Sequence, residues 1–113
     1  MNNQNSEFLE YILDLLDSVS AISSRKMFGG YAIYQNGLTI AIIVADEIYL
    51  KVDESNIDDY KQLNSQPFTY QKQGKTITIS NWKVPAEILE DQEKFIEWAE
   101  KSYQVALKAK NKK

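Results

Sequence analysis

"GYAIYQNGLTIAIIVADEIYLKV", residues 30–52, decides the architecture, because its turn signals set how the apolar residues of consecutive strands line up. Asn36-Gly37 separates two runs rich in β-branched and aromatic residues. A type I′ hairpin turn needs positive φ at both central positions, which Asn and Gly adopt at least cost. A two-residue turn there pairs Tyr34 with Thr39, Ile33 with Ile40, Ala32 with Ala41 and Tyr31 with Ile42. In "LTIAIIVA", Leu38, Ile40, Ile42 and Val44 then line one side, and Thr39, Ala41, Ile43 and Ala45 line the other. Such a strand is expected at the centre of a sheet, partly covered on both faces. The next run, "IYLKV", places Ile48, Leu50 and Val52 on one side and Tyr49 and Lys51 on the other. A two-residue Asp46-Glu47 turn would set Leu50 against Ile43, on the wrong face. A three-residue loop over 45–47 pairs Ile42 with Leu50 and Ile40 with Val52, and is the expected connection.

Upstream, "RKMFGGYAIYQNG" (residues 25–37) combines a basic pair, Met-Phe and a double glycine. Phosphate-cradling glycines lead into a helix N-terminus, whereas Gly29-Gly30 lead into a strand. The expected role is a bulge or tight crossing at the entrance to the hairpin, where a side chain would collide with a neighbour. Period-two alternation from Lys26 predicts one strand up to the Asn36-Gly37 turn, with Met27 and Phe28 in the core. Arg25 either pairs with helix carboxylates or joins Lys26 and Phe28 as a contact edge. Before it, Phe8, Ile12, Leu15, Leu16 and Val19 are spaced for an amphipathic helix, with Asn5 or Ser6 as N-cap.

Downstream, Asp53 is the expected N-cap of a short helix to about Leu63 that turns Ile57, Tyr60 and Leu63 inward. "PFTYQK" and "KTITISNW" join through Gln73-Gly74, which aligns Tyr70 with Ile77 and Phe68 with Ile79 and leaves Thr69, Gln71, Thr76 and Thr78 on a wet face. Trp82 is in phase with those polar residues, so it either ends its strand or stands on the open face as the leading candidate for a partner contact. Pro85 suits a first helical turn. Asp91 caps a longer helix with Phe95, Ile96, Ala99, Tyr103, Ala106 and Leu107 as its buried stripe. The order α-β-β-β-α-β-β-α predicts an α+β two-layer sandwich: a five-stranded antiparallel sheet with helices on one face. The uncovered face, carrying tyrosine, threonine and lysine, is expected to serve docking or homodimerisation.

Composition narrows the chemistry. The 113 residues suit one domain, with a core over about 7–107 and a basic tail over 108–113. Cysteine and histidine are both absent, which removes disulfides, thiolate nucleophiles, imidazole bases and zinc sites built on sulfur or nitrogen. No oxygen-rich metal loop, cofactor motif, secretory leader or membrane-length apolar run stands out, and a cytoplasmic location is expected.

Net charge is −3, and the five lysines at 101, 108, 110, 112 and 113 leave −8 for residues 1–100. Bulk electrostatics therefore disfavour direct nucleic-acid binding, although the lysine tail keeps that alternative open. The bland reading of the tail is a helix end whose lysines complement the dipole. Acidic pairs at Asp46-Glu47, Asp53-Glu54, Asp58-Asp59 and Glu90-Asp91 fall at turns and helix starts, where acid is favoured locally, so no catalytic residue is assigned. A ligand-binding or enzymatic domain of unknown substrate is a further alternative, and it requires a deep pocket with converging polar groups.

"RKMFGGYAIY", "ADEIYLKVDESN", "QPFTY" and "VPAEILED" together resemble the N-terminal domain of the TfoX/Sxy family of competence regulators, over about 7–107. Fuller members of that family continue into a second, helical domain, so the chain resembles a stand-alone N-terminal domain. The resemblance implies the same two-layer fold and a non-enzymatic bacterial transcription coactivator working with the cyclic-AMP receptor protein. It implies as partner another protein, such as a DNA-bound transcription factor. Arg25, Lys26, Phe28, Tyr49, Lys51 and Trp82 are the residues expected to meet it.

Overall fold

The computed structural model describes residues 4–27 and 29–112, with side chains from residue 7 onward. In chain order the elements are α1 (Gln4–Leu15), β1 (Ile22–Met27), β2 (Gly30–Gln35), β3 (Leu38–Val44), β4 (Glu47–Lys51), α2 (Ile57–Gln62), β5 (Pro67–Lys72), β6 (Lys75–Lys83), α3 (Ala86–Leu89) and α4 (Gln92–Asn111). The strands form one antiparallel sheet in the order β1-β2-β3-β4-β6-β5.

The sheet has six strands where the sequence suggested five. The run read as one strand is itself a hairpin: Met27 sits opposite Gly30, and Gly29 turns the chain with φ +78. Phe28 lies outside the described residues. Gly30 answers to close approach, since a Cβ there would fall 1.8 Å from the Ile43 carbonyl oxygen. The two glycines serve the backbone, as expected, but within a hairpin rather than before one. Met27 is exposed rather than in the core, because the new edge strand is solvated along most of its length. At the other end of the helical prelude, α1 already begins at Gln4, which puts Asn5 and Ser6 inside the helix instead of at its cap.

Positive φ at Asn36 (50°) and Gly37 (78°) closes the β2–β3 hairpin as its sequence demands. The Tyr34–Thr39 pair forms, but the register then shifts: Ile33 faces Ala41, Ala32 faces Ile42 and Tyr31 faces Ile43. Ile40 is the extra residue of a β-bulge. It stays fully buried beside Ala41, and the bulge brings Ile43 rather than Ile42 to the helix side. The same inversion corrects the next connection. Ala45 and Asp46, with φ 53° and 61°, make a two-residue turn, and Ile43 pairs with Ile48 and Ala41 with Leu50. Two errors of phase that would each misplace the core cancel once the bulge is present.

Helices α1, α3 and α4 gather over one face, with α4 crossing β3 and β4. The core joins Ile12 and Leu16 from α1, Ile33, Ile43, Ile48 and Leu50 from the sheet, and Phe95, Trp98 and Ala99 from α4. The buried stripe of α4 keeps Phe95, Ala99 and Ala106 from the expected one but is rotated slightly: Trp98, Ser102 and Val105 are buried with them, while Ile96, Tyr103 and Leu107 are half-buried. Trp98 packs on Tyr60 with ring centroids 4.4 Å apart, and the Ser102 hydroxyl donates to the Lys51 carbonyl at 2.8 Å. Those contacts outweigh simple hydrophobicity in setting the roll of the helix.

Asp91 caps α4 as expected, accepting from the Lys94 amide at 3.2 Å. Asp53 does not cap α2. Its carboxylate accepts from the Ser55 amide at 2.7 Å, and Asn56 directly precedes the helix with its side chain turned back to the Asp53 amide and the Lys51 carbonyl. Helix α4 runs on to Asn111, so the start of the basic tail is helical.

Candidate functional site

Residues directly opposite one another in an antiparallel ladder share a face. Starting from Ile42, the register sets Ala32 and Tyr49 beside it, then Arg25 beyond Ala32 and Lys83 beyond Tyr49. One row thus crosses β1, β2, β3, β4 and β6. Ala32 and Ile42 are buried, yet neither belongs to the helix-side cluster. This row therefore lies on the opposite face of the sheet, the open one, where strand-borne side chains are the cover.

Phe68 on β5 extends the row. Its ring meets Tyr49 edge-on with centroids 5.0 Å apart and stacks along Tyr70 at 6.2 Å. Tyr70 pairs with Ile77, and two residues further along the hairpin Lys72 pairs with Lys75 on the same face. Tyr70 is 41% exposed and Met27 37%, so two of the large apolar residues most open to solvent stand on this one surface. Burial holds the Tyr49 phenol above its ordinary value, Glu47 adds to the rise, and Lys83 opposes it.

Cations frame the aromatic run. Arg25, Lys51, Lys72, Lys75 and Lys83 project from the strands on the open face, against the carboxylate of Glu47, which lies 3.5 Å from the Lys83 ammonium. The chain as a whole is acidic, so this face opposes the sign of the remainder.

Of the residues expected to meet a partner, Arg25, Tyr49 and Lys51 share the open face. Lys26 is opposite Tyr31, on the helix side at the sheet edge. Phe28 lies outside the described residues. Trp82 does not stand on the open face: it pairs with Leu50 on the helix side, half-buried, with its ring 6.4 Å from Tyr60. It keeps phase with Thr76 and Thr78, as the sequence indicated, but that phase is the helix side. The helices pack over β3 and β4 and leave the outer hairpin's threonines in water, so polarity there reports distance from the helices and not the open face.

Alternation alone does not single out Phe68, Tyr70 and Lys83 as site residues, because an apolar phase on the outer hairpin points by default to the inward side. The signal that could have found them is the lysine at the end of each stripe: Phe68, Tyr70, Lys72 and Lys75, Ile77, Ile79 each put a cation in phase with the apolar residues.

The basic tail offers less free charge than its composition suggests. Lys101 pairs with Asp59 at 2.8 Å and Lys108 with Asp53 at 3.4 Å, tying α4 to the segment around α2. Between α2, α3 and α4 an open depression of about 290 Å³ is lined by Asp59, Gln62, Leu63, Glu87, Ile88, Lys94 and Trp98. Burial pushes the nearby Tyr60 phenol far up, with the Ser102 hydroxyl opposing the rise. Among the described residues no cluster of carboxylates is arranged to hold a metal ion, and no helix is long and apolar enough to cross a membrane.

The family described as the TfoX N-terminal domain matches residues 14–106. The chain is also similar to Protein Sxy of Escherichia coli (strain K12), at 24% identity over 98 residues. That alignment covers 87% of this chain and 47% of the Escherichia coli protein, so the chain spans about half the length of the curated relative it matches.

Proposed function

Because the chain belongs to the TfoX N-terminal domain family, we propose that it is a non-enzymatic regulatory module of the competence-regulator kind, acting through contact with another protein in transcription control. One observation carries the contact: a half-exposed aromatic run, Tyr49, Phe68 and Tyr70, stands on the sheet face that the helical core leaves uncovered. Large apolar side chains gathered on one surface mark interaction sites more often than scattered ones do. An acidic chain that works through a DNA-bound partner also avoids the repulsion it would meet on a phosphate backbone.

The test is a reporter driven by a competence-type promoter in a host that carries the cyclic-AMP receptor protein. Expression of the chain raises the signal, and a Phe68→Ser, Tyr70→Ser variant that melts like the parent does not. An equal signal with and without the chain, or an unaffected variant, counts against the reading.

A further inference from the structure

We infer that the open sheet face is a docking site for an acidic segment of another protein that carries apolar or aromatic side chains between its carboxylates; this rests on the adaptor reading and names the chemistry of its partner. The floor of the face is apolar, with Ile42, Val44 and Ala32 in adjacent ladder positions. Beside it stand Tyr49, Phe68 and Tyr70, with the Phe68 ring in contact with each of the two tyrosines. A segment with nothing but charge would leave that floor wet. A segment with nothing but apolar groups would leave unanswered the ring of Arg25, Lys51, Lys72, Lys75 and Lys83, whose strand-borne countercharge among the described residues is Glu47.

Charge complementarity decides between occupants. A second copy meeting face to face would bring like charges together, which costs several kcal/mol where they are desolvated. A single-stranded nucleic acid could stack its bases on the same rings. A long polyanion, however, also feels the rest of the molecule, which must be more negative than the total of −3 once these cations are set apart. A short acidic amphipathic segment touches the basic face and leaves the acidic remainder in solvent. An extended segment suits a pleated surface best, since alternate side chains point down to the rings and up to solvent.

The experiment uses the full chain and fluorescein-labelled probes read by anisotropy: a short peptide alternating glutamate with phenylalanine and leucine, the same peptide with lysine for glutamate, and single-stranded oligothymidylate. The acidic peptide binds, its affinity falls as salt rises, and the lysine peptide does not bind. Lys51→Glu with Lys72→Glu weakens binding about tenfold or more, equivalent to at least about 1.4 kcal/mol, while the melting temperature stays close to the parent's. Phe68→Ser weakens it without changing its salt dependence. Failure of the acidic peptide to bind, or binding that survives the charge reversals, overturns the inference. Tighter binding of oligothymidylate overturns it in favour of single-strand recognition. The reporter separates the two readings: a reporter that still needs Phe68 and Tyr70 while the acidic peptide fails leaves the adaptor standing with a different partner chemistry. Peptide binding with an indifferent reporter removes the transcriptional role and leaves the docking site.

Discussion

Ile42 and Ile43 are neighbours in the chain and both are buried, yet they lie on surfaces of different kinds. Ile43 is fully enclosed in a cluster with Phe95, Trp98 and Leu16, roofed by helices. Ile42, 9% exposed, is outside that cluster and is shielded by side chains standing on the strands around it. Burial alone therefore does not distinguish a core from a contact surface. A helix roof removes water permanently, whereas long strand-borne side chains can move aside for a partner. Substitutions on the two faces should separate accordingly: on the helix face they cost stability, and on the open face they cost binding.

The largest effect belongs under the roof. Phe95→Ala leaves a void in close-packed surroundings and lowers unfolding free energy by about 3–5 kcal/mol, measured by urea denaturation. A loss below about 1 kcal/mol would mean that the helix layer is not the core. Gly30→Ala comes next, at about 3 kcal/mol. Its new methyl group would collide with the Ile43 carbonyl, a backbone group that cannot rotate away, so either strand must shift.

A paired test of intermediate size addresses the two faces directly. Trp82→Ala removes a half-buried ring from beside Tyr60 and costs about 2 kcal/mol of stability, with little change in affinity for the acidic peptide. Phe68→Ala gives up contacts with Tyr49 and Tyr70, at about 1 kcal/mol, and loses most of the affinity. Calorimetric melting and anisotropy on both variants measure the contrast. Reversed outcomes would return Trp82 to the role its polar phase suggested.

What the sequence made legible follows from which signals are local. Turns written in two residues, Asn36-Gly37 and Gln73-Gly74, formed with positive φ as their chemistry requires, and the Asp91 cap and the Tyr70–Ile77 pair are in place. Phase was harder. Ile40 carries no mark of a bulge, since an isoleucine suits a regular strand as well as an irregular one, and its insertion inverted which side of β3 meets the helices, while the shorter turn at Ala45-Asp46 restored the expected faces of β4. The β1–β2 hairpin was hidden because Gly29-Gly30 looked like a strand entrance, and six residues of "ISSRKM" have too little apolar alternation to declare an edge strand. For the candidate site, the shared side of Tyr49 and Lys51 was readable from alternation alone, whereas Arg25 was expected only at a contact edge, because its strand was not foreseen. Phe68, Tyr70 and Lys83 were not readable, because their side depends on how far the helices reach over the outer hairpin, which no local pattern encodes.

The smallest expected effect lies at the rim of the helix face, where ion pairs tie α4 to the α2 segment. The Asp53 carboxyl is held below its ordinary value, first by the Ser55 hydroxyl and amide, then by Lys108. A depressed folded-state value means the ionised form is favoured by folding. Its contribution is therefore complete above the unfolded carboxylate value of about 3.9 and disappears as pH falls through the lower folded value. Asp53→Asn should melt slightly below the parent at neutral pH, and the gap should close as the pH drops beneath about 4. Because the Ser55 contacts are short-range and the Lys108 pair is solvent-screened, raising the salt should trim the gap without abolishing it, and Lys108→Ala should preserve most of its pH dependence. A gap that vanishes in salt would make Lys108 the dominant partner of Asp53. The tail's charge, rather than the turn at 53–56, would then set how firmly the roof is fastened at this corner.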